Sequence, residues 1–307
     1  MIRTIDAGEL RRRLPIAAAI DALEAAFRKE DPSLAAPLRS SLATPSGTLL
    51  LMPASGNGGV GVKLVTLSEF NPQRGLPFIQ GVYVLFERDT QRPETVIDGT
   101  ELTALRTAAV SGLATRHLAR PDARRLVLFG AGVQANAHLE AMVEVRPVGE
   151  VVVVSRSSGP AAALVERATR MGLRASVGGA DAVAEADLVC TCTTSAVSLF
   201  DGSALAPGAH VNAVGAYLPN DRELDTETIR RAKVVVETRE VALAEAGDLL
   251  IPIREGAVGA DHVRADLSEL VRGAEVRTAD DDVTVFESVG MAFEDLVVAR
   301  AAADAAA

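Results

Sequence analysis

The segment that most restricts the fold is RLVLF (125–129) running straight into Gly130-Ala131-Gly132-Val133-Gln134-Ala135 and then into a helical pattern. A strand that enters a helix through so short a turn needs a first glycine for the turn. Gly132 lets an anion approach the backbone, and the small Ala135 allows helix and strand to close. This is the dinucleotide fingerprint in its proper setting; the alternative is a tight strand-to-helix turn that holds no ligand. After Pro121 strand and helix patterns alternate: RLVLF, a helix over 132–145, EVVVVS, a helix near 160–171, LRASV, DLVCTCTT, HVNAVG and AKVVVE. That rhythm predicts parallel strands joined by helices, a Rossmann-type doubly wound α/β sheet.

The first third of the chain has a different texture. Asp6-Ala-Gly-Glu9 has the spacing of a helix N-cap with a reciprocal acid, and Pro15 can open a second helix with Ile16, Ile20, Leu23 and Phe27 on one face. From about residue 36 to 98, short apolar runs separated by Gly, Pro, Asn and Asp predict an antiparallel or mixed sheet. A long helical stretch, TELTALRTAAVSGLATRHLA, ends at Arg120-Pro121. The last segment reads as a strand and a helix that return to the first domain. The expected division is therefore a discontinuous α+β domain, 1–118 with 283–307, for substrate binding and dimerisation, and a dinucleotide-binding domain over 119–282. Gly247-Asp248 and the stretch to Gly259 read as a mobile loop.

Composition removes several functions. With 31 basic against 41 acidic residues and a net charge of -10 over 307 residues, bulk nucleic-acid affinity is not expected. No apolar run approaches the roughly 18 residues of a membrane span, and MIRTIDAGEL lacks the apolar core of a secretory signal. Cys190 and Cys192 are spaced unsuitably for bridging each other, so they read as reduced thiols in a cytoplasmic protein. His117, His138, His210 and His262 lie far apart without ligand spacing, and no metal is expected.

Two sets of residues carry chemistry. The strand after the fingerprint ends in Ser155-Arg156-Ser157, with no carboxylate to bind a ribose 2′-hydroxyl and a guanidinium suited to a 2′-phosphate. NADP(H) is the expected cofactor, with NAD(H) also admissible. Lysine is scarce, confined to positions 29, 63 and 233, yet Lys63 lies in mid-strand in GVGVKLVTL, while Arg39 and Arg106 also sit among apolar neighbours. Two arginines that can fork onto a carboxylate, with a lysine beside them, suit a small amino or imino acid. Each also has a plainer reading, as a lysine pointing to water or an arginine paired with a structural acid. Gln134 either contacts a pyrophosphate or caps its helix.

Spaced over nearly the whole chain are Pro37-x-Arg39, Met52-Pro53, Gly61-Val62-Lys63, Asn71 with Gly75-Leu76-Pro77, and Arg106-Thr107-Ala108-Ala109. The series continues with Gly130-Ala131-Gly132-x-Gln134, Val214-Gly215-Ala216 with Pro219, Glu223-Leu224-Asp225, and Phe286-x-Ser288-x-Gly290-x-Ala292-x-x-Asp295. In these elements the sequence resembles the ornithine cyclodeaminase and mu-crystallin family. The resemblance implies a homodimer in which Arg39, Lys63 and Arg106 surround the substrate and the arginines hold its carboxylate. It places Thr107, Val133, Thr193, Thr194, Val214, Ser288 and Gly290 with the fingerprint beside the cofactor, and Met52, Phe78 and Tyr217 around the substrate.

One departure stands out. Cyclodeaminases carry an aspartate in the loop after Val214-Gly215, where this chain has Tyr217, and Phe78 replaces a small hydroxyl residue. A phenol with a pKa of about 10 is a poor general base at neutral pH. Tyr217 either donates a hydrogen bond or walls the pocket. The expected activity is thus the family's simpler one, reduction by NAD(P)H of a cyclic or open 2-imino acid to the amino acid, with Lys63 supplying the proton. Ornithine cyclodeaminase, alanine-dehydrogenase-like activity and a non-catalytic NADPH-binding role are the alternatives.

Overall fold

The computed structural model describes residues 2–306, the side chains of Ser33, Leu34 and Pro72 excepted. It resolves into two compact units. One comprises the chain up to Arg106 together with the chain from Met291, and the other Thr107–Gly290. The sequence placed the divisions at 118/119 and 282/283.

The first unit opens with β1 (Arg3–Ile5), α1 (Ala7–Arg13), α2 (Ile16–Lys29) and α3 (Pro32–Ala35). Asp6 caps α1 by accepting from the Glu9 amide at 2.8 Å, and Ile20, Leu23 and Phe27 form the buried stripe of α2. Five strands follow: β2 (Ser40–Thr44), β3 (Gly47–Gly56), β4 (Gly59–Leu67), β5 (Ile79–Phe86) and β6 (Pro93–Asp98). The sheet is mixed, in the order β1-β6-β5-β4-β3-β2, with only β1 and β6 parallel. Its strands alternate between faces with period two. Leu50, Met52, Val65, Tyr83 and Leu85 are buried, while the other face leaves Leu42 59% and Val82 42% exposed.

Helix α4 (Gly99–Leu118) carries the chain out of this unit between Arg106 and Thr107. In the second unit the strands are β7 (Arg125–Phe129), β8 (Glu150–Val154), β9 (Arg174–Val177), β10 (Leu188–Thr191), β11 (His210–Ala213), β12 (Lys233–Val236), β13 (Val263–Asp266) and β14 (Thr284–Glu287). All are parallel, in the order β13-β12-β14-β11-β10-β7-β8-β9, the doubly wound sheet expected. Val127, Val189, Val211, Val234 and Val285 form one apolar layer across it. Continuous apolar strands of this kind belong to sheets covered on both faces. Between the strands lie α5 (Val133–Val145), α6 (Ser158–Arg170), α7 (Thr226–Arg231), α8 (Arg239–Glu245), α9 (Gly247–Arg254) and α10 (Leu267–Val271). The expected loop after Gly247 is therefore corrected: it begins as α9, with Asp248 fully buried and accepting from the Glu223 and Leu224 amides at 2.8 and 2.6 Å. Gly247 and Pro252 mask the helical pattern in the sequence, whereas the tie from Asp248 to a distant segment fixes it.

The return segment splits. β14 joins the second sheet between β11 and β12, and the following α11 (Ala292–Asp304) packs in the first unit against α2, β3, β4 and β5. Phe293 meets Phe27 edge to face, with centroids 5.2 Å apart.

The buried face of the first sheet leaves no room at Gly61. A β-carbon there would lie 2.1 Å from the Tyr83 hydroxyl and 2.6 Å from its ring. Gly61→Ala must displace the fully buried Tyr83 ring, so it is expected to lower unfolding free energy by about 1–3 kcal/mol in denaturant titration.

Candidate active site

Under α11 the first sheet presents a row of three side chains. Lys63 on β4 pairs in register with Met52 on β3 and with Tyr83 on β5, and period-two alternation turns all three to the buried face. Lys63 is only 2% exposed, and its Nζ lies 2.9 Å from Oδ1 and 2.8 Å from Oδ2 of Asp295. Arg106, near the middle of α4, donates from Nε to Asp295 Oδ1 at 3.1 Å and from a terminal nitrogen to Glu294 Oε2 at 2.8 Å. Glu294 and Asp295 stand in the first turn of α11, where the helix dipole favours anions, and both are wholly buried.

Burial is the strongest influence on Lys63 and, with the positive charge of Arg106, pushes its pKa down. Asp295 opposes this and Arg39 adds to it, leaving a value of about 8. The ammonium is thus poised to give up a proton near neutrality. Tyr83 is neutral, because burial and the Asp295 charge push its phenol well above the ordinary value, and its hydroxyl has no hydrogen-bond partner. Arg39, whose charge also acts on Lys63, is half-buried. Met52 is buried beside Lys63, and Phe78 is half-buried just before β5.

Sequence reasoning missed Glu294 and gave Asp295 no role, although two adjacent acids inside GMAFEDLVVA were a usable signal, since buried cations need partners. The plainer reading of Arg106, pairing with structural acids, describes its contacts within the protein.

In the second unit, the positions assigned to the cofactor, Thr107 in α4 excepted, follow the C-terminal ends of neighbouring parallel strands, where open α/β sheets bind ligands. Gly130 has φ +98°, and a β-carbon there would meet the Cys192 carbonyl at 2.4 Å, so only glycine fits. Gly132 opens α5 with no side-chain cap and no atom within 4 Å of where its β-carbon would stand. The fingerprint thus offers uncrowded backbone at a helix N-terminus, which fits a pyrophosphate. Gln134, at the second position of α5, caps nothing, and its side-chain oxygen is buried without a hydrogen-bond partner. Beyond β8, Arg156 is exposed, Ser155 accepts from the Ser157 amide at 3.2 Å, and no acid interrupts the segment.

Buried acids hold Thr193, Ser288 and Gly290. Glu223 accepts from the Thr193 amide at 2.8 Å, its hydroxyl at 2.5 Å and the Gly215 amide at 2.7 Å, tying together the loops after β10 and β11. Glu237 accepts from the Ser288 hydroxyl at 2.7 Å and from the Gly290 amide at 2.9 Å, fixing the segment after β14. Thr194 is exposed, Val214 half-buried and Thr107 buried at the start of this unit. Tyr217 packs at the margin of the apolar core around Leu224 and Leu249. Burial, with the charges of Asp248, Glu223 and Glu237, pushes Glu287 well above the carboxylate range.

His138 and His210 are neutral, lowered by burial to about 4 and about 3. Cys190 and Cys192 are free thiols whose pKa values burial raises, that of Cys190 to about 12. Among the described residues no group of three or more His, Cys, Asp or Glu can hold a metal ion, and no helix is long and apolar enough to cross a membrane.

A Delta(1)-pyrroline-2-carboxylate reductase of Bacillus cereus is 38% identical over 273 residues, covering 86% of this chain and 84% of its own. The structure of the Thermococcus litoralis Delta(1)-pyrroline-2-carboxylate reductase in complex with NADH and L-proline superposes with a TM-score of 0.93 at 32% identity, covering 98% of this chain and 96% of that one. An archaeal alanine dehydrogenase, a dimer with bound NAD, gives 0.91 at 31% identity over 98% of this chain and 94% of its own. The family model described as ornithine cyclodeaminase/mu-crystallin matches residues 4–307. The chain belongs to the ornithine cyclodeaminase/mu-crystallin family.

Proposed function

We propose that the protein is an NAD(P)H-dependent reductase that converts cyclic or open 2-imino acids to the corresponding amino acids. The observation that carries this reading is Lys63, a buried lysine with a pKa of about 8 held between Asp295 and Arg106. The likeness to pyrroline-2-carboxylate reductases supports it. When bound, NAD(P)H supplies the hydride. Arg106 and Arg39 bind the substrate carboxylate, onto which their guanidinium groups can fork. Lys63 gives its proton to the imine nitrogen as the carbon accepts the hydride, and the neutral amine recovers a proton from water. Asp295 keeps Lys63 charged between turnovers. Tyr217, with no acid at its position, is the reason to set aside ring-closing deamination.

We further propose a preference for NADP(H) over NAD(H), supported by the carboxylate-free Ser155-Arg156-Ser157 segment and the exposed Arg156. A homodimer assembled through the apolar outer face of the first sheet is supported by the exposed Leu42 and Val82 and by the dimeric archaeal relative. The free thiols suit a reducing, cytoplasmic compartment.

With NADPH and Δ1-pyrroline-2-carboxylate, kcat/KM should fall as pH rises through about 8. Asp295→Asn, which removes the charge that raises the Lys63 pKa, should move that limb to lower pH. Lys63→Met should lose at least about a hundredfold in turnover while still binding NADPH; retained turnover would refute the role of the lysine. Arg156→Ala should raise KM for NADPH by about tenfold, a loss of about 1.4 kcal/mol, and leave KM for NADH unchanged. Light scattering should give twice the chain mass for the wild type and the single mass for Val82→Asp.

A further inference from the structure

We propose that Glu223 is a positioning residue for cofactor binding, holding the loops after β10 and β11 in their working arrangement before any ligand arrives. This rests on the assignment of the C-terminal edge of the second sheet to the nicotinamide cofactor. Both oxygens of its carboxylate accept hydrogen bonds. One oxygen takes both the amide and the hydroxyl of Thr193, while the other takes the Gly215 amide, so a single carboxylate spans two loops that follow adjacent strands. The glutamate is anchored in turn. Its amide and that of Leu224 donate to Asp248 Oδ1 at 2.8 and 2.6 Å, and its carbonyl accepts from the Leu199 amide at 2.9 Å.

The chemistry explains why an acid stands here. Three donors from two loops converge on one side chain, and a carboxylate alone among side chains of this size offers acceptors in every direction. Burying it costs free energy that an apolar residue would avoid, and burial raises its pKa while the Thr193 and Gly215 bonds lower it. A residue kept for stability alone has cheaper replacements. What the carboxylate adds is a fixed spacing between two backbone segments, the preorganisation by which a binding site avoids ordering loops at the moment of binding. A glutamine would turn a donor towards either Thr193 or Gly215 and release one of the loops.

The test is Glu223→Gln, with the NADPH dissociation constant measured by quenching of its fluorescence in the absence of substrate. The dissociation constant should rise roughly tenfold, about 1.4 kcal/mol, with the melting temperature of the unliganded protein little changed and the imine KM at saturating NADPH within about twofold. Unchanged NADPH affinity would overturn the proposal, as would a parallel loss of unliganded stability, cofactor affinity and imine KM, which marks a purely structural residue. Should the variant fail to fold, hydrogen exchange of the wild type without cofactor decides. Thr193 and Gly215 amides protected as well as those of β10 and β11 support the proposal, and amides that exchange as free loops refute it. A protein that reduced no imine yet lost NADPH affinity in Glu223→Gln would sink the reductase reading and leave this role standing.

Discussion

Four charged side chains buried together, Lys63, Arg106, Glu294 and Asp295, are the constraint on which the chemistry of the first unit depends. Such clusters are poor investments in stability. Desolvation of each ion costs several kcal/mol, well-packed apolar residues often do as well, and removing one partner from a buried pair costs about 3–5 kcal/mol. In the proposed reaction the arrangement keeps a lysine charged but able to lose its proton. Desolvation and Arg106 lower its pKa, Asp295 prevents the fall from going further, and the balance near 8 is what proton donation at neutral pH requires. The fold serves this balance directly. Strand alternation turns Lys63 inward, Gly61 yields its space to the Tyr83 ring, and the first turn of α11 delivers both acids.

The second unit solves a different problem with the same chemical groups. A parallel sheet ends in loops whose backbone donors must point at a ligand, yet loops carry few apolar contacts to hold them. Here buried carboxylates take that part. Glu223 joins two loops, Glu237 holds the segment from Ser288 to Gly290, and Asp248 fixes Glu223. Their charges, with burial, push Glu287 among them well above the carboxylate range.

What the sequence made legible was local. The fingerprint turn, the cap at Asp6, the stripe of α2 and the alternating strands are patterns within a few residues, and each appears where its physics puts it. The inward-facing Lys63 and Arg106 were legible as cations out of place. Their partners were not, because Asp295 lies 232 residues from Lys63 and nothing local announces that pairing. For the same reason α9 read as a loop, since Asp248 is a loop residue by composition and its carboxylate bonds to amides 25 and 24 residues away, at Glu223 and Leu224. The destination of β14 was similarly hidden, as strand neighbours in a parallel sheet are set by tertiary pairing.

The central claim is that this chain moves a hydride from the nicotinamide to the carbon of an imine next to a carboxylate. The most direct measurement is to supply NADPH deuterated at C4, in separate preparations for each face, together with Δ1-pyrroline-2-carboxylate, and to locate the label in the proline formed. The account predicts deuterium on C2 of proline from one of the two preparations and none from the other. Proline absent under conditions where NADPH binding is demonstrated, or formed without deuterium from either preparation, would contradict it.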